Sequence, residues 1–128
     1  MMEIGMHNKL SGGCGEDAAC NYLKKHGYKI VERNYRCKFG EIDIIARKKG
    51  VLIFAEVKTR TSNEYGTPAQ AVTYYKRKNI INSAHMYVLK NPTDSDIRFD
   101  IIEVYGNFDG GVFCVDEINH IENAFWEE

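Results

Sequence analysis

Residues 40–58 contain two apolar runs separated by a short basic turn, and this pattern constrains the fold more than any other part of the chain. The runs are Gly40-Glu41-Ile42-Asp43-Ile44-Ile45-Ala46 and Val51-Leu52-Ile53-Phe54-Ala55-Glu56-Val57-Lys58. β-branched residues dominate both runs, which is typical of strands, and Gly50 supplies the backbone freedom that a tight turn needs. We therefore predict a β-hairpin.

Three charged residues interrupt these apolar strands: Asp43, Glu56 and Lys58. Burying a carboxylate or an ammonium is costly unless it is paired or binds a metal ion. Side chains alternate along a strand, so Glu56 and Lys58 share one face while Val57 points away. A salt bridge or a solvated face on an edge strand is the structural alternative to a functional site.

The position of Asp43 depends on the length of the hairpin loop. With an even loop that pairs Ala46 with Val51, Asp43 lies opposite Phe54, on the same face as Glu56 and one diagonal step from it. A three-residue loop without a bulge would break this parity. We predict the even loop, which brings two carboxylates and an ammonium to one patch.

The length of 128 residues suits one domain, which we place at residues 12–128 after a flexible N-terminus over residues 1–11. At 44% hydrophobic and 27% charged residues, the composition is that of an ordinary globular protein. No apolar run approaches the roughly 20 residues of a membrane span, and the first residues lack the apolar core of a signal peptide. The four cysteines form no Cys-x-x-Cys pair, so we expect reduced thiols, no zinc site and a cytoplasmic protein.

Charge is distributed unevenly although the net charge is only −1. Residues 24–60 hold eleven Lys and Arg and four Asp and Glu, whereas residues 91–128 hold one Arg and ten Asp and Glu. A basic middle can attract phosphates despite a nearly neutral total, although solvated surface charge explains the same pattern.

The remaining pattern predicts the order α-β-β-β-α-β. A helix is predicted over residues 15–26, entered through a loop at Ser11-Gly12-Gly13, and a strand over residues 28–36. After the hairpin we predict a polar loop, a helix over residues 69–89, a strand over 97–105 and a short strand over 112–115. Residues 118–126 have apolar residues at helical spacing and predict a short terminal helix.

Two acids and a lysine from adjacent strands suit phosphodiester hydrolysis. Carboxylates hold a hard divalent cation, and Mg²⁺ usually keeps waters and the substrate phosphate as its other ligands. A neighbouring lysine can orient the attacking water, help to deprotonate it, or stabilise developing charge. The backbone carbonyl of Val57 is a further candidate ligand, and Glu41 shares the face of Asp43.

The spacing of Asp43 and Glu56-Val57-Lys58 resembles the Asp…(Asp/Glu)-x-Lys signature of the restriction-endonuclease-like nuclease superfamily. Glu16 resembles the helix glutamate of its Holliday-junction resolvases. From Gly12 onward, the chain is similar to the YraN-like bacterial family. The matching pieces are Gly15-Glu16, Gly27-Tyr28, Asn34-Tyr35-Arg36, Gly40-Glu41-Ile42-Asp43-Ile44-Ile45-Ala46, Phe54-Ala55-Glu56-Val57-Lys58-Thr59-Arg60 and Arg98-Phe99-Asp100. One departure is Ile42, where many superfamily members have proline.

The resemblance implies an α/β restriction-endonuclease-like core with a mixed central sheet and an endonuclease role. It assigns Asp43, Glu56 and the Val57 carbonyl to a Mg²⁺ (or Mn²⁺) ion, with Glu16 completing the site directly or through water. Lys58 would act on the water or the phosphate. Whether Glu16 or Glu41 is the third acid stays open, and a helix-dipole partner is the alternative role for Glu16.

The same resemblance suggests residues that contact nucleic acid. The candidates for phosphate or base contacts are Arg36, Lys38, Arg60, Gln70, Lys76 and Lys78. Plain surface charge is the alternative for each cation. Tyr65, Tyr74 and Tyr75 are candidates for stacking on bases, with core or rim packing as the alternative. Arg98 and Asp100 fit a structural ion pair better than a catalytic role.

The predicted function is metal-dependent cleavage of DNA, at branched or damaged structures. Two alternatives stay open: a nucleic-acid-binding module that keeps the fold without cutting, and a protein-interaction domain that docks through its acidic C-terminal third. Resolvase-like enzymes work as pairs, so the resemblance also allows a homodimer.

Overall fold

A computed structural model describes residues 4–61 and 73–127 of the chain, with side chains from residue 13 onward. The described residues form two helices and five strands in the order α-β-β-β-α-β-β. The elements are α1 (Ile4–Lys25), β1 (Lys29–Cys37), β2 (Gly40–Lys48), β3 (Val51–Arg60), α2 (Tyr74–Lys90), β4 (Asp96–Asp109) and β5 (Val112–Phe125).

The five strands form one mixed sheet in the order β1-β2-β3-β4-β5. β3 and β4 are parallel and are connected through α2, whereas the other neighbouring pairs are antiparallel. A parallel pair needs such a crossover, since a tight turn can join only antiparallel strands. The predicted α/β fold with a mixed central sheet and flanking helices is confirmed.

Each helix covers one face of the sheet, because successive strand residues point to opposite faces. On β3, Ile53 and Ala55 belong to the buried cluster that packs with α1, and Leu52 and Phe54 to the one that packs with α2. Both clusters contain residues that are fully buried. Burial on both faces explains why the central strands are almost continuously apolar.

The central hairpin has a shorter loop than we predicted. Lys48 pairs with Val51, so Lys49 and Gly50 form a two-residue turn, with φ angles of 46° and 78°. Positive φ at both positions is the geometry of a type I′ turn, which matches the twist of the flanking strands. The predicted pairing of Ala46 with Val51 is therefore wrong by two residues, but the even parity is confirmed.

The predicted terminal helix over residues 118–126 is wrong, because this segment belongs to the long strand β5. Ile118 packs against the cluster beside α1, and Phe125 lies in the cluster beside α2. Their spacing reflects the two faces of one strand rather than one face of a helix. Gly110 and Gly111, both with positive φ, form the turn that joins this strand to β4.

The helix α1 begins at Ile4, so the predicted entry loop at Ser11-Gly12-Gly13 is wrong. Gly12 and Gly13 suggested a loop, but the helix continues through both of them. Gly15, which lies inside the predicted helix, is required for close packing. A Cβ built on Gly15 would lie 2.0 Å from Thr59 Oγ1. The absence of a side chain lets α1 approach β3 closely.

The helix α2 begins at Tyr74 with Thr73 as its N-cap. The part of the predicted helix over residues 69–72 lies outside the described residues. Neither α1 nor α2, the two helices of the described ranges, is long and apolar enough to cross a membrane. The cysteines Cys14, Cys20, Cys37 and Cys114 are free thiols.

Candidate functional site

β2 and β3 separate at one end of the sheet, forming a fork. Their ladder ends at the pair Ile44 and Ala55, although β2 stays paired with β1 as far as Gly40 and β3 stays paired with β4 as far as Arg60. The next register positions belong to Asp43 and Glu56. The shortened loop therefore brings these two carboxylates directly across from each other, where we predicted a diagonal contact.

Beyond the last β2–β3 pair, the Asp43 side chain takes the place of a backbone carbonyl as hydrogen-bond acceptor. The N–H of Val57 donates a hydrogen bond to Asp43 Oδ2 at 2.8 Å. Within a strand, the N–H and C=O of one residue point toward the same neighbouring strand. The carbonyl of Val57 consequently also faces the fork, as a ligand role would require.

A cavity of about 430 Å³ lies between the fork and the first turns of α2. Its lining residues are Gly40, Glu41, Asp43, Glu56, Thr73, Tyr75, Lys76, Asn79 and Ile80. Burial raises the pKa of Asp43, the negative charge of Glu56 raises it further, and the result is a pKa of about 7. The hydrogen bond from Val57 opposes this shift without cancelling it. The ionised form of Asp43 is therefore disfavoured at the fork, relative to an exposed aspartate.

Lys76 provides a positive charge at this cavity. Its Nζ lies 2.6 Å from Glu56 Oε1, and the Glu56 side chain is only 7% exposed. Burial lowers the pKa of Lys76, but the hydrogen bond to Glu56 and the charges of Glu56, Asp43 and Glu41 outweigh it and raise the pKa. The Thr73 side chain accepts a hydrogen bond from the Lys76 N–H at 3.1 Å, so the N-cap of α2 fixes the backbone from which this lysine extends.

Glu16 and Lys58 lie outside the described lining of the fork cavity. Glu16 Oε1 is 3.7 Å from Arg33. Burial raises the pKa of Glu16, while Arg33 and a hydrogen bond from Asn34 oppose the shift. The charge of Glu16 also contributes to the raised pKa of Asp43. Lys58 is half-buried on β3, two residues beyond Glu56.

Comparison with known proteins identifies the family of this chain. The family model described as "Uncharacterised protein family UPF0102" matches residues 15–104, which include Glu16, the whole fork and Lys76. The chain belongs to family UPF0102. This confirms the resemblance to the YraN-like family, which is of the restriction-endonuclease-like type.

Relatives in this family match the chain over nearly its whole length. A UPF0102 protein of Clostridioides difficile strain 630 is 48% identical over 121 residues, covering 94% of this chain and 100% of the relative. One from Caldanaerobacter subterraneus subsp. tengcongensis is 46% identical over 121 residues, covering 94% of this chain and 98% of the relative. One from Geobacter metallireducens is 46% identical over 123 residues, covering 95% and 97%.

The predicted nucleic-acid contacts fall into different environments in this UPF0102 chain. Arg36 forms an ion pair of 2.5 Å with Glu41, and Lys38 lies 5.2 Å from the Phe39 ring centroid. Lys78 donates to the Tyr74 hydroxyl at 3.5 Å. All three cations are exposed at the surface.

The environment of Arg60 differs from that of these exposed cations. The Arg60 side chain is only 12% exposed and lies 4.0 Å from the buried Glu103, in the interior rather than at the surface. Gln70 and Tyr65 lie outside the described residues. Tyr74 and Tyr75 are 56% and 78% exposed, so their rings are accessible to a ligand.

The donor atoms at the fork suit a hard divalent cation. Asp43, Glu56 and the Val57 carbonyl offer only oxygen atoms, which Mg²⁺ and Mn²⁺ prefer. Among the side chains that the structure describes, in residues 13–61 and 73–127, no three of His, Cys, Asp or Glu form a preassembled metal group. Mg²⁺ commonly binds through one or two carboxylates and takes waters and substrate oxygens as its other ligands. Two carboxylates and a carbonyl therefore fit.

Sequence reasoning missed the contact between Lys76 and Glu56. Lys76 was predicted to contact phosphate because it lies in the run Lys76-Arg77-Lys78. Its position over the fork depends on how α2 packs, and the N-cap residue Thr73 is only a weak local signal of where that helix begins. The ion pair joins residues that are twenty positions apart in the sequence.

Proposed function

We propose that this protein is a metal-dependent endonuclease that hydrolyses DNA phosphodiesters, at branched or damaged structures. The observation that supports the proposal is the pair of facing carboxylates at the fork, one of which has a pKa of about 7 because of burial and its neighbour. Perturbed carboxylates in a cleft are characteristic of functional sites. The family description names no activity, so the proposal depends on the geometry of the fork.

Asp43, Glu56 and the carbonyl of Val57 would hold Mg²⁺ or Mn²⁺. Such an ion, when bound, offsets charge at the phosphorus and makes water more acidic. Glu16, which lies 3.7 Å from Arg33 and whose charge acts on Asp43, would complete the site through a water. Lys58 would position the attacking water and stabilise the charge that develops on the phosphate oxygens. Water attack forms one P–O bond, and the bond to the leaving oxygen breaks.

DNA would approach across the cation-bearing surface beside the fork. Arg36 on β1, Lys38 in the turn between β1 and β2, and Lys78 on α2 are exposed, and each would add a salt-dependent phosphate contact. Tyr74 and Tyr75 lie at the start of α2, next to the cavity, and their exposed rings suit stacking on unpaired bases. Such stacking would favour branched or damaged DNA over an intact duplex.

The proposed activity requires access to DNA, which in a bacterium lies in the cytoplasm. The four free cysteines agree with this location, because thiols stay reduced in the cytosol. Two copies of the chain would suit a two-fold symmetric junction, since each would cut one strand. Light scattering with and without four-way DNA would measure this association.

The test is a cleavage screen with linear, nicked, flapped and four-way DNA, with Mg²⁺, with Mn²⁺ and with chelator. We expect divalent-dependent products from the wild type and at least about 100-fold slower cleavage by Asp43→Asn and by Lys58→Ala. Asp94→Asn, an exposed acid between α2 and β4, and Lys90→Ala, an exposed lysine at the end of α2, are the matched controls. Full activity of Asp43→Asn would refute the proposal. Binding without product would instead indicate a nucleic-acid-binding module.

A further inference from the structure

Glu56 already has a positive partner at the fork. Lys76 Nζ lies 2.6 Å from Glu56 Oε1, and the charges of Asp43 and Glu41 also act on the same ammonium. A divalent cation held by Asp43 and Glu56 would therefore share its carboxylate with a lysine. Two cations within a few ångströms repel each other strongly outside bulk water.

The two partners of this ion pair differ in freedom. Glu56 is 5% exposed and belongs to the central strand β3, so its carboxylate is held in place. The Lys76 side chain is 50% exposed and extends from the first turn of α2 on four flexible carbons. When the pair separates, the lysine is therefore the partner that moves.

We propose that Lys76 is an exchangeable counter-ion: it neutralises Glu56 in the metal-free protein and moves to a substrate phosphate when Glu56 accepts a divalent cation. This inference rests on the proposed function and adds a positioning residue to that site. The exchange keeps the charge at the fork close to constant. It also supplies a phosphate contact only in the metal-loaded protein.

The exchange predicts two effects of opposite sign for one substitution. Lys76→Met removes a competitor for Glu56, so the variant should bind metal more tightly than the wild type. It also removes a phosphate contact, so the metal-loaded variant should bind DNA more weakly. A lysine with a purely structural role would give neither an increase in metal affinity nor this combination.

The experiment uses the full chain and Ca²⁺ as the probe cation. Isothermal titration with Ca²⁺ should give a dissociation constant about tenfold lower for Lys76→Met than for the wild type. Four-way DNA binding in Ca²⁺ should weaken about threefold to tenfold, and the slope of log affinity against log salt should fall by about 0.9, the value for one phosphate contact.

Two variants serve as controls. Lys90→Met removes the same charge from the same helix about 21 Å farther along its axis, so it should change neither constant. Lys76→Arg keeps the charge and should leave the Ca²⁺ affinity within about twofold of wild type. Circular dichroism of each variant confirms that it is folded.

An unchanged or reduced Ca²⁺ affinity in Lys76→Met overturns the exchange, and the nuclease proposal stands if the wild type still cleaves. If Lys76→Met binds Ca²⁺ more tightly but the wild type cleaves no DNA, the exchange is supported and the nuclease proposal is refuted. Absence of Ca²⁺ binding in both proteins overturns the exchange together with the metal-dependent function.

Discussion

Asp100 and Asp43, two carboxylates on inner strands of the sheet, have opposite environments. Asp100 on β4 accepts four hydrogen bonds: two from Arg98 at 2.8 Å, one from His120 Nε2 at 2.7 Å and one from the Asn123 N–H at 3.0 Å. Burial alone would raise its pKa, but the bonds from His120, Arg98 and Asn123 outweigh burial and lower it. Asp100 is therefore a stabilised anion.

Asp43 accepts one backbone hydrogen bond and faces a second carboxylate, and its pKa is about 7. Both aspartates lie on inner strands of the sheet, although Asp100 is fully buried and Asp43 is only partly buried. The difference lies in what each one faces, which is a set of donors for Asp100 and another anion for Asp43. The comparison indicates that Asp100 contributes to folding, whereas the perturbed carboxylate Asp43 is the candidate for the metal site that we propose.

The largest expected effect on stability tests the Asp100 side of this comparison. Asp100→Asn removes the charge that Arg98 and His120 face, so the variant should lose about 3–5 kcal/mol of unfolding free energy. Urea denaturation at pH 7 measures it, and Asp94→Asn should differ from wild type by less than about 0.5 kcal/mol. If Asp100→Asn were as stable as the wild type, Asp100 would not be a structural anion.

The next largest effect is an increase in unfolding free energy, which we expect for Asp43→Asn. Folding raises its pKa from 3.8 to about 7, so its contribution to stability is full below pH 3.8 and disappears as the pH rises through 7. Asn can still accept the bond from Val57 without the charge. In chelator, Asp43→Asn should be more stable than wild type by up to about 4 kcal/mol at pH 8, and nearly equal to it at pH 4.

A series of urea titrations between pH 4 and pH 8 measures this difference. If Asp43→Asn were destabilised at pH 8, Asp43 would be a structural residue like Asp100, and the contrast between the two sites would disappear.

A smaller effect is expected where α1 connects the two regions. This helix carries Glu16 near the fork and Tyr22, whose hydroxyl bonds to His120 Nδ1 at 3.2 Å. Gly15→Ala would push a methyl group against Thr59 Oγ1 and should cost about 1–3 kcal/mol. Adding Thr59→Ala should restore part of that loss, which a double-mutant cycle by urea denaturation measures. Additive losses would show that the two residues do not clash.

The smallest expected effect is a difference in acid sensitivity between the wild type and Asp100→Asn. Because folding lowers the pKa of Asp100 from 3.8, its contribution to stability is present above that value and is lost as the pH falls through the folded pKa. Wild type should therefore lose stability in strong acid more steeply than Asp100→Asn does. Parallel unfolding curves for the two proteins between pH 4 and pH 2 would contradict the assignment.

Much of the core was predictable because its periodicity is strong. Alternation and β-branched residues located β2 and β3, and even parity was enough to put Asp43 and Glu56 on one face. The exact register was not predictable, since both two-residue and four-residue loops fit the stretch from Arg47 to Gly50. The terminal strand was missed because apolar residues on its two faces imitate helical spacing at Ile118 and Phe125.

The site was only partly predictable for a related reason. Two of its acids lie on adjacent strands, where a short-range pattern carries the geometry. The partner of Glu56 comes from α2, which packs against the sheet after a long connection. No local rule assigns Lys76 to Glu56. The structural ion pair of Arg98 with Asp100 was predicted and is confirmed, but the further bonds to Asp100 from His120 and Asn123 come from β5, which was not recognised as a strand there.

The most direct test of the account is calorimetric titration of Mn²⁺ into the chelator-treated protein at pH 8, where Asp43 is ionised. We expect one Mn²⁺ site per chain in the wild type and in Asp94→Asn, and no measurable Mn²⁺ site in Asp43→Asn. Equal Mn²⁺ affinity in the wild type and Asp43→Asn, or no binding by the wild type, would contradict it.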